Sequence, residues 1–278
     1  MPDPRAGTDS ASGQAASVTP PLLEAEAVQV TIGKTDILKR ADLCLESGEL
    51  VAVVGPNGAG KSTFARAFCG LQKATGGSIR WSGEDISAIR GRRLARLRAF
   101  VPQRAQVPNG VTVSDAVAIG RSAHLKPLQS FSAVDREAIA SATSRARLEG
   151  MEDRQLNTLS GGELQRVQIA VGLAQGAPVL VADEPTAQLD LGATAAVSEL
   201  LRELVHDGYG IVLIVHDLAL AAAVADRVVV MSDGATIATG PPVEVLSKEL
   251  IGEVWNVEAE LISHEGRSGL HVEWLGRV

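Results

Sequence analysis

Leu50-Val51-Ala52-Val53-Val54-Gly55-Pro56-Asn57-Gly58-Ala59-Gly60-Lys61-Ser62-Thr63 joins a short apolar run to a glycine-rich loop, and a helical pattern follows from Phe64. A β-branched run that stops at turn residues reads as a buried strand. The loop fits the spacing G-x-x-x-x-G-K-[ST] in the strand–loop–helix setting which that spacing requires. Glycines let backbone N–H groups close around the α- and β-phosphates of a nucleotide, and the helix that follows turns its positive end toward them. Lys61 is placed to reach the β- and γ-phosphates and Ser62 to ligate Mg²⁺. An ordinary Gly-rich turn before a helix has no use for that Lys–Ser pair. Gly55, Pro56, Asn57, Gly58, Ala59, Gly60, Lys61, Ser62 and Thr63 are therefore the expected phosphate-binding residues.

Outward from this loop, short β-branched runs recur at Ile79–Trp81, Phe100–Val101, Val179–Ala182, Ile211–Val215 and Arg227–Met231, with helical patterns between them. That alternation predicts an α/β fold with a largely parallel sheet covered on both faces. Between Gln103 and Leu159 the strand signal fades, and Val113–Arg121 and Val134–Arg147 read as helices, so residues 104–160 are expected to form an inserted helical lobe. Past Gly240-Pro241-Pro242 the pattern predicts one short helix over Val243–Leu250, then a stretch to Val278 that can pair as two strands. The chain thus divides into a flexible tail (1–20), a main unit (21–250) and an extension (251–278).

Composition narrows the function classes. With 278 residues, 45% of them hydrophobic, the chain can bury the core of one composite domain. A net charge of −7 and a pI near 5.3 give no long-range attraction to nucleic acid or to an anionic membrane. The apolar runs Ile211–Val215 and Leu218–Ala225 fall far short of the roughly 20 residues that cross a bilayer. Residues 1–20 lack the apolar core of a secretory signal, so a cytoplasmic location is expected. Cys44 and Cys69 sit in apolar settings and read as reduced, buried thiols. Arg90, Arg92, Arg93, Arg96 and Arg98 read as a solvated helix face rather than a nucleic-acid patch, given the overall acidity.

A second chemical site is written at Val179-Leu180-Val181-Ala182-Asp183-Glu184, where a strand delivers two carboxylates to the edge at which open α/β sheets bind ligands. Beside a phosphate loop, Asp183 is expected in the Mg²⁺ shell and Glu184 at the attacking water. A further buried run, Ile211–Val215, ends in His216, which is placed to reach a γ-phosphate.

Leu159-Ser160-Gly161-Gly162-Glu163 opens another helix, and Ser160 with Glu163 has the spacing of a capping box. Two glycines in a first helical turn each cost up to roughly 1 kcal/mol, which makes sense where a phosphate must approach the exposed N–H groups. With this segment the chain resembles the ABC ATPase family, whose signature reads LSGGQ or LSGGE, over about residues 22–250. The resemblance implies a P-loop NTPase cassette with a mostly parallel sheet core, an antiparallel N-terminal β region and an inserted helical lobe. It makes Gln103 the glutamine that contacts metal and γ-phosphate, Gln188-Leu189-Asp190 the D-loop, and His216 the switch histidine. It also implies ATP and Mg²⁺ as ligands. Two copies would pair head to tail, with Ser160, Gly161, Gly162 and Glu163 of one closing over the ATP held by Lys61 of the other, and Asp190 nearby. Where the family commonly stacks an aromatic residue on adenine, this chain has Val30-Thr31-Ile32-Gly33, so Ile32 is expected to meet the base by apolar packing alone.

The stretch between Lys61 and Leu159 is too short for the long coiled coils of the DNA-repair and chromosome-organising ATPases that share these motifs. A transporter subunit is the reading that remains: a peripheral protein on the cytoplasmic face of a membrane, bound to permease subunits and served indirectly by a substrate-binding protein. Ala118–Leu125, Ser132–Arg136 and Thr239–Leu246 resemble importers for ferric siderophores, haem and cobalamin. Zinc or manganese import and a non-transport regulatory ATPase are the alternatives. His124 reads as a surface residue of the lobe or as a permease contact.

Overall fold

Leu50, Ala52 and Val54 turn to one face of their strand and Val51 and Val53 to the other, and all five are buried. A strand covered on both faces belongs to the interior of a parallel sheet. The computed structural model describes residues 20–103, 107–126, 128–263 and 270–277, so the expected tail lies, but for Pro20, outside the described residues.

The chain begins with β1 (Leu23–Ile32) and β2 (Thr35–Leu45), then β3 (Leu50–Val54), α1 (Lys61–Phe68), β4 (Gly76–Trp81) and β5 (Glu84–Asp85). Next come α2 (Gly91–Leu97), β6 (Arg98–Val101), α3 (Val113–Ile119), α4 (Ala133–Arg145) and α5 (Gly161–Ala174). The second half contains β7 (Val179–Asp183), α6 (Leu191–His206), β8 (Gly210–Ile214), α7 (Leu218–Val224), β9 (Arg227–Ser232) and β10 (Ala235–Gly240). It ends with α8 (Pro242–Val245), α9 (Lys248–Trp255), β11 (Val257–Ser263) and β12 (Leu270–Arg277).

Ten strands form one sheet in the order β5-β4-β1-β2-β10-β9-β3-β8-β7-β6. From β9 to β6 every neighbouring pair is parallel, while β1, β2, β4 and β5 pair antiparallel. The fold is thus the α/β architecture expected, with an antiparallel region carried on the edge of the parallel core. One hydrophobic core joins the sheet to α3–α7, and the other packs α1 between the parallel strands and the β1–β2 hairpin.

Two local expectations change. The single helix over Val243–Leu250 is in fact α8 and α9, because Leu246 leaves helical geometry (φ −80°, ψ 74°) and Ser247 caps a new helix by accepting from Leu250 N–H at 3.1 Å. Helix α9 therefore runs past residue 250, and the paired strands begin at Val257. In the lobe, the pattern over Val113–Arg121 stays α-helical only to Ile119 and continues as a 3₁₀ turn, Gly120–Ala123.

That turn buries Arg121 beside α4. Its Nε donates to Asp135 at 2.9 Å and its Nη1 to the Ala174 carbonyl at 2.9 Å, and both charged side chains are over nine-tenths covered. Asp135 also closes the capping box of α4 with Ser132. The Ser132 hydroxyl and amide first, and the Arg121 guanidinium next, hold the Asp135 carboxyl down to about 2. Breaking one side of a buried pair strands the other charge. Arg121→Met is therefore expected to lower the melting temperature by roughly 5–10 °C at neutral pH. A depressed carboxyl stabilises fully above its unfolded value of about 3.9. The gap between wild type and Arg121→Met should accordingly shrink as pH falls from about 4 toward 2, as read by calorimetry across that range.

Candidate active site

Strand order decides which side chains meet. β3, β8, β7 and β6 lie side by side, and each ends at the same edge in a chemically active residue: the glycine loop, His216, Asp183-Glu184 and Gln103 respectively. At the end of β3 the chain passes so close to β9 that a Cβ on Gly55 (φ 153°) would lie 2.1 Å from the Met231 carbonyl oxygen. Only glycine fits there. Gly60 is the N-cap of α1 and supplies no side-chain cap, which leaves the N–H groups of the first turn for a ligand. The helix starts at Lys61, a little earlier than the pattern from Phe64 suggests.

Lys61 is buried, and its Nζ donates to the carbonyls of Gly55 at 2.7 Å and Pro56 at 3.0 Å. It also lies 3.4 Å from His216 Nδ1. Burial pulls the ammonium below its ordinary value, and the Glu184 and Asp183 carboxylates offset part of that. Asp183, equally buried, accepts from Ser62 Oγ at 3.0 Å, and burial pushes its carboxyl up. Two hard oxygen donors, Ser62 and Asp183, thus sit together and could hold a divalent cation.

Glu184 occupies the left-handed region (φ 52°), unusual for a residue with a side chain. Its N–H donates to the Ile214 carbonyl at 2.9 Å and its carbonyl accepts from Ala187 N–H at 3.1 Å, so the turn is held at both ends. The carboxylate contacts Gln103 Nε2 through one oxygen and His216 Nε2 through the other. An imidazole protonated on Nε2 can donate to Glu184 while Nδ1 accepts from Lys61. The resulting cavity, about 340 Å³, is lined by Asn57, Gly58, Gly60, Lys61, Ser62, Thr63, Glu184 and His216, and by Ile37.

Ser160, Gly161, Gly162 and Glu163 do not line that cavity. Ser160 caps α5, its N–H donating to Glu163 at 2.7 Å, and Arg154 Nη1 donates to Glu163 at 2.9 Å. The turn is seated on the D-loop of its own chain: a Cβ on Gly162 would lie 2.7 Å from Ala193 Cβ, and one on Gly161 3.2 Å from Leu189 Cδ2. The second glycine therefore has a packing reason as well as the exposed N–H reason. Asp190, away from the cavity, caps α6 by accepting from Ala193 N–H at 2.7 Å.

Ile32 ends β1 half-exposed, and the cavity wall is Ile37 on β2 instead. Nothing local marks Ile37; it reaches the site only because β2 runs beside Gly60. His124 is half-buried, its Nε2 2.8 Å from the Gln175 carbonyl at the end of α5, and so closes a helix terminus. Of the arginines, Arg93 pairs with Glu84, while Arg96 and Arg98 donate to the Ala123 and Cys69 carbonyls. Cys69 is fully buried, and that burial pushes its thiol up to about 12.

The ABC transporter family matches residues 38–187 of the chain. The hemin import ATP-binding protein of Shewanella denitrificans is 37% identical over 247 residues, 87% of this chain and 96% of that protein. This chain belongs to the ABC transporter ATP-binding subunits. The achromobactin transport ATP-binding protein of Dickeya dadantii is 35% identical, over 84% of this chain and 88% of that one. The dimeric structure of MJ0796, a bacterial ABC transporter cassette, matches with a TM-score of 0.69 at 26% identity, over 79% of this chain and 98% of that one. Subunits of the family bind and hydrolyse ATP to drive transport through membrane permeases. Among the described residues no helix of this ABC subunit is long and apolar enough to cross a membrane itself.

The two reasons for Gly162 separate experimentally. Gly162→Ala should destabilise by about 1–3 kcal/mol through overpacking on α6. Adding Ala193→Gly opens the space that this methyl needs and should restore the melting temperature, while ATP hydrolysis is expected to stay about tenfold down where the turn must also approach a phosphate without a side chain. Recovery of both would leave packing as the whole role of this glycine.

Proposed function

We infer that this subunit energises the import of an iron chelate, haem or a ferric siderophore, through a separate membrane permease. The observation that carries the cargo class is the pair of relatives, a hemin import and an achromobactin transport ATP-binding protein, matched along most of both chains. The protein works at the cytoplasmic face, held there by the permease, with a substrate-binding protein delivering cargo from the other side. Residues 21–250 act as the cassette, 104–160 as its helical lobe and the segment beyond as an accessory extension.

In this reading the backbone from Gly55 to Thr63 cradles the ATP phosphates and Lys61 exchanges its carbonyl partners for phosphate oxygens. Ser62, Asp183 and Gln103, whose amide now contacts Glu184, would hold Mg²⁺, which neutralises charge on the phosphates. Glu184 positions and polarises the attacking water, and His216 holds Glu184 and the γ-phosphate in register. Because Ser160–Glu163 lie away from their own phosphate cavity, a second copy supplies them, and hydrolysis requires a head-to-tail homodimer. Ile37 in the cavity wall offers the base apolar contact without hydrogen bonds, which discriminates weakly between exocyclic groups.

Glu184→Gln should retain nucleotide binding and lose about a hundredfold or more in hydrolysis rate. In cells lacking this chain, uptake of labelled haem or ferric siderophore should fall and return with wild type but not with Glu184→Gln. Unchanged uptake of both, with zinc or manganese uptake lost instead, would move the assignment to metal-ion import. The apolar base contact predicts that GTP competes with ATP within about tenfold, as measured by the two KM values.

A further inference from the structure

Glu163 brings a full negative charge to the start of α5. Its carboxylate folds back to accept from Ser160 N–H at 2.7 Å, while Ser160 Oγ accepts from Glu163 N–H at 3.3 Å, so the capping box closes at the mouth of the helix. The Ser160 amide first, then the Ser160 hydroxyl and the Arg154 guanidinium, hold this carboxyl below its ordinary value, and it stays ionised at neutral pH. A helix N-terminus offers about half a positive charge. One carboxylate at its mouth outweighs that and reverses the sign. The alternative signature, LSGGQ, has a neutral side chain at this position, whereas this chain carries the charged one.

Arg154 answers that charge. Its Nη1 donates to Glu163 Oε1 at 2.9 Å and its Nη2 to the Thr158 carbonyl at 3.0 Å, two residues before Ser160. Its main chain is pinned as well: the N–H donates to the Met151 carbonyl at 2.9 Å, and the carbonyl accepts at 3.0 Å from the N–H of Val113, the first residue of α3. The guanidinium is thus aimed at the turn from a fixed base. The two side chains are 42% and 25% exposed, and an ion pair so open to water adds little to stability. Stability alone is a weak reason for a guanidinium here; charge balance at the turn is a stronger one.

We propose that Arg154 is a positioning residue of the composite ATP site: it neutralises Glu163 and steadies the capping box, so that the turn of one copy presents a positive face to the phosphates held by the other. This rests on the head-to-tail homodimer proposed above. With the guanidinium in place, the carboxylate is cancelled and the helix end recovers the sign that a polyphosphate needs. Without it, a fixed negative charge lies beside the arriving phosphates, in partly dry surroundings where repulsion is strong. Such repulsion opposes the nucleotide-bound ground state and the transition state alike, so it is felt in KM rather than in kcat.

A double-mutant cycle in ATP hydrolysis by the full chain tests this. Arg154→Gln should raise the KM for ATP by about tenfold and leave kcat within about twofold, while Arg154→Lys, which keeps the charge, should stay within about threefold of wild type in KM. In a Glu163→Gln background, Arg154→Gln should move KM by less than about threefold, because no carboxylate is left to neutralise. An unchanged KM in Arg154→Gln overturns the proposal. So does an equal rise in both backgrounds, which assigns the effect to the Thr158 contact, or a KM for Arg154→Lys as high as that of Arg154→Gln. The melting temperature of Arg154→Gln should fall by no more than about 3 °C; a larger fall marks a structural role and likewise overturns the proposal. Gel filtration of Glu184→Gln chains separates this inference from the reading beneath it. A dimer in the presence of ATP and Mg²⁺ keeps the homodimer standing and leaves the KM values to decide on Arg154, whereas a monomer there overturns both together.

Discussion

Lys61 places an ammonium group, almost fully covered, among the ends of three parallel strands. A buried charge is tolerated only where its donors are satisfied, and here two carbonyls of its own loop accept them, with His216 alongside and two carboxylates within electrostatic reach. That arrangement requires β3, β8 and β7 to be neighbours, each stopping at the same edge. The two hydrophobic cores on either face of the sheet hold those strands in register. Burial displaces Lys61 and Asp183 in opposite directions, the ammonium down and the carboxyl up, because each loses water that the neighbouring opposite charges only partly replace.

The same edge explains why the signature turn is held elsewhere. Helix α5 packs on α6 closely enough that glycine is needed at residue 162, and the D-loop lies between them. Turn, loop and α6 are therefore packed as one continuous surface. In the proposed pair of subunits, a surface packed in this way would be presented to the second copy with little reorganisation, which is what preorganised electrostatic stabilisation demands. Within one chain it serves only packing.

Much of this was legible in the sequence because the decisive features are local. The run Leu50–Val54 with its glycine loop, the run ending in Asp183-Glu184 and the capping box at Ser160 each declare themselves within a few residues. What escaped was set by distant contacts. Ile37 lines the cavity because β2 passes Gly60, a fact of sheet order. Arg121 and Asp135 form a buried pair only once the turn after α3 folds onto α4. Arg96, Arg98 and His124 looked like a polar surface, yet they satisfy carbonyls at the ends of neighbouring elements, where orphan acceptors need donors. The break between α8 and α9 turns on one residue, Leu246, whose backbone angles no periodicity reveals.

Glu184 shows how fold and chemistry constrain each other. Its left-handed backbone is costly for a side-chain-bearing residue, and glycine would relieve it. The carboxylate cannot be given up, so the strain is held by two backbone hydrogen bonds, to Ile214 and from Ala187. The first ties Glu184 to β8, the strand that carries His216, and the second starts the D-loop. Displacing either element shifts the carboxylate relative to Lys61. In the proposed chemistry the residue that positions the attacking water is thus fastened to both of these segments, so that the end of β8 and the loop before α6 share one joint with it.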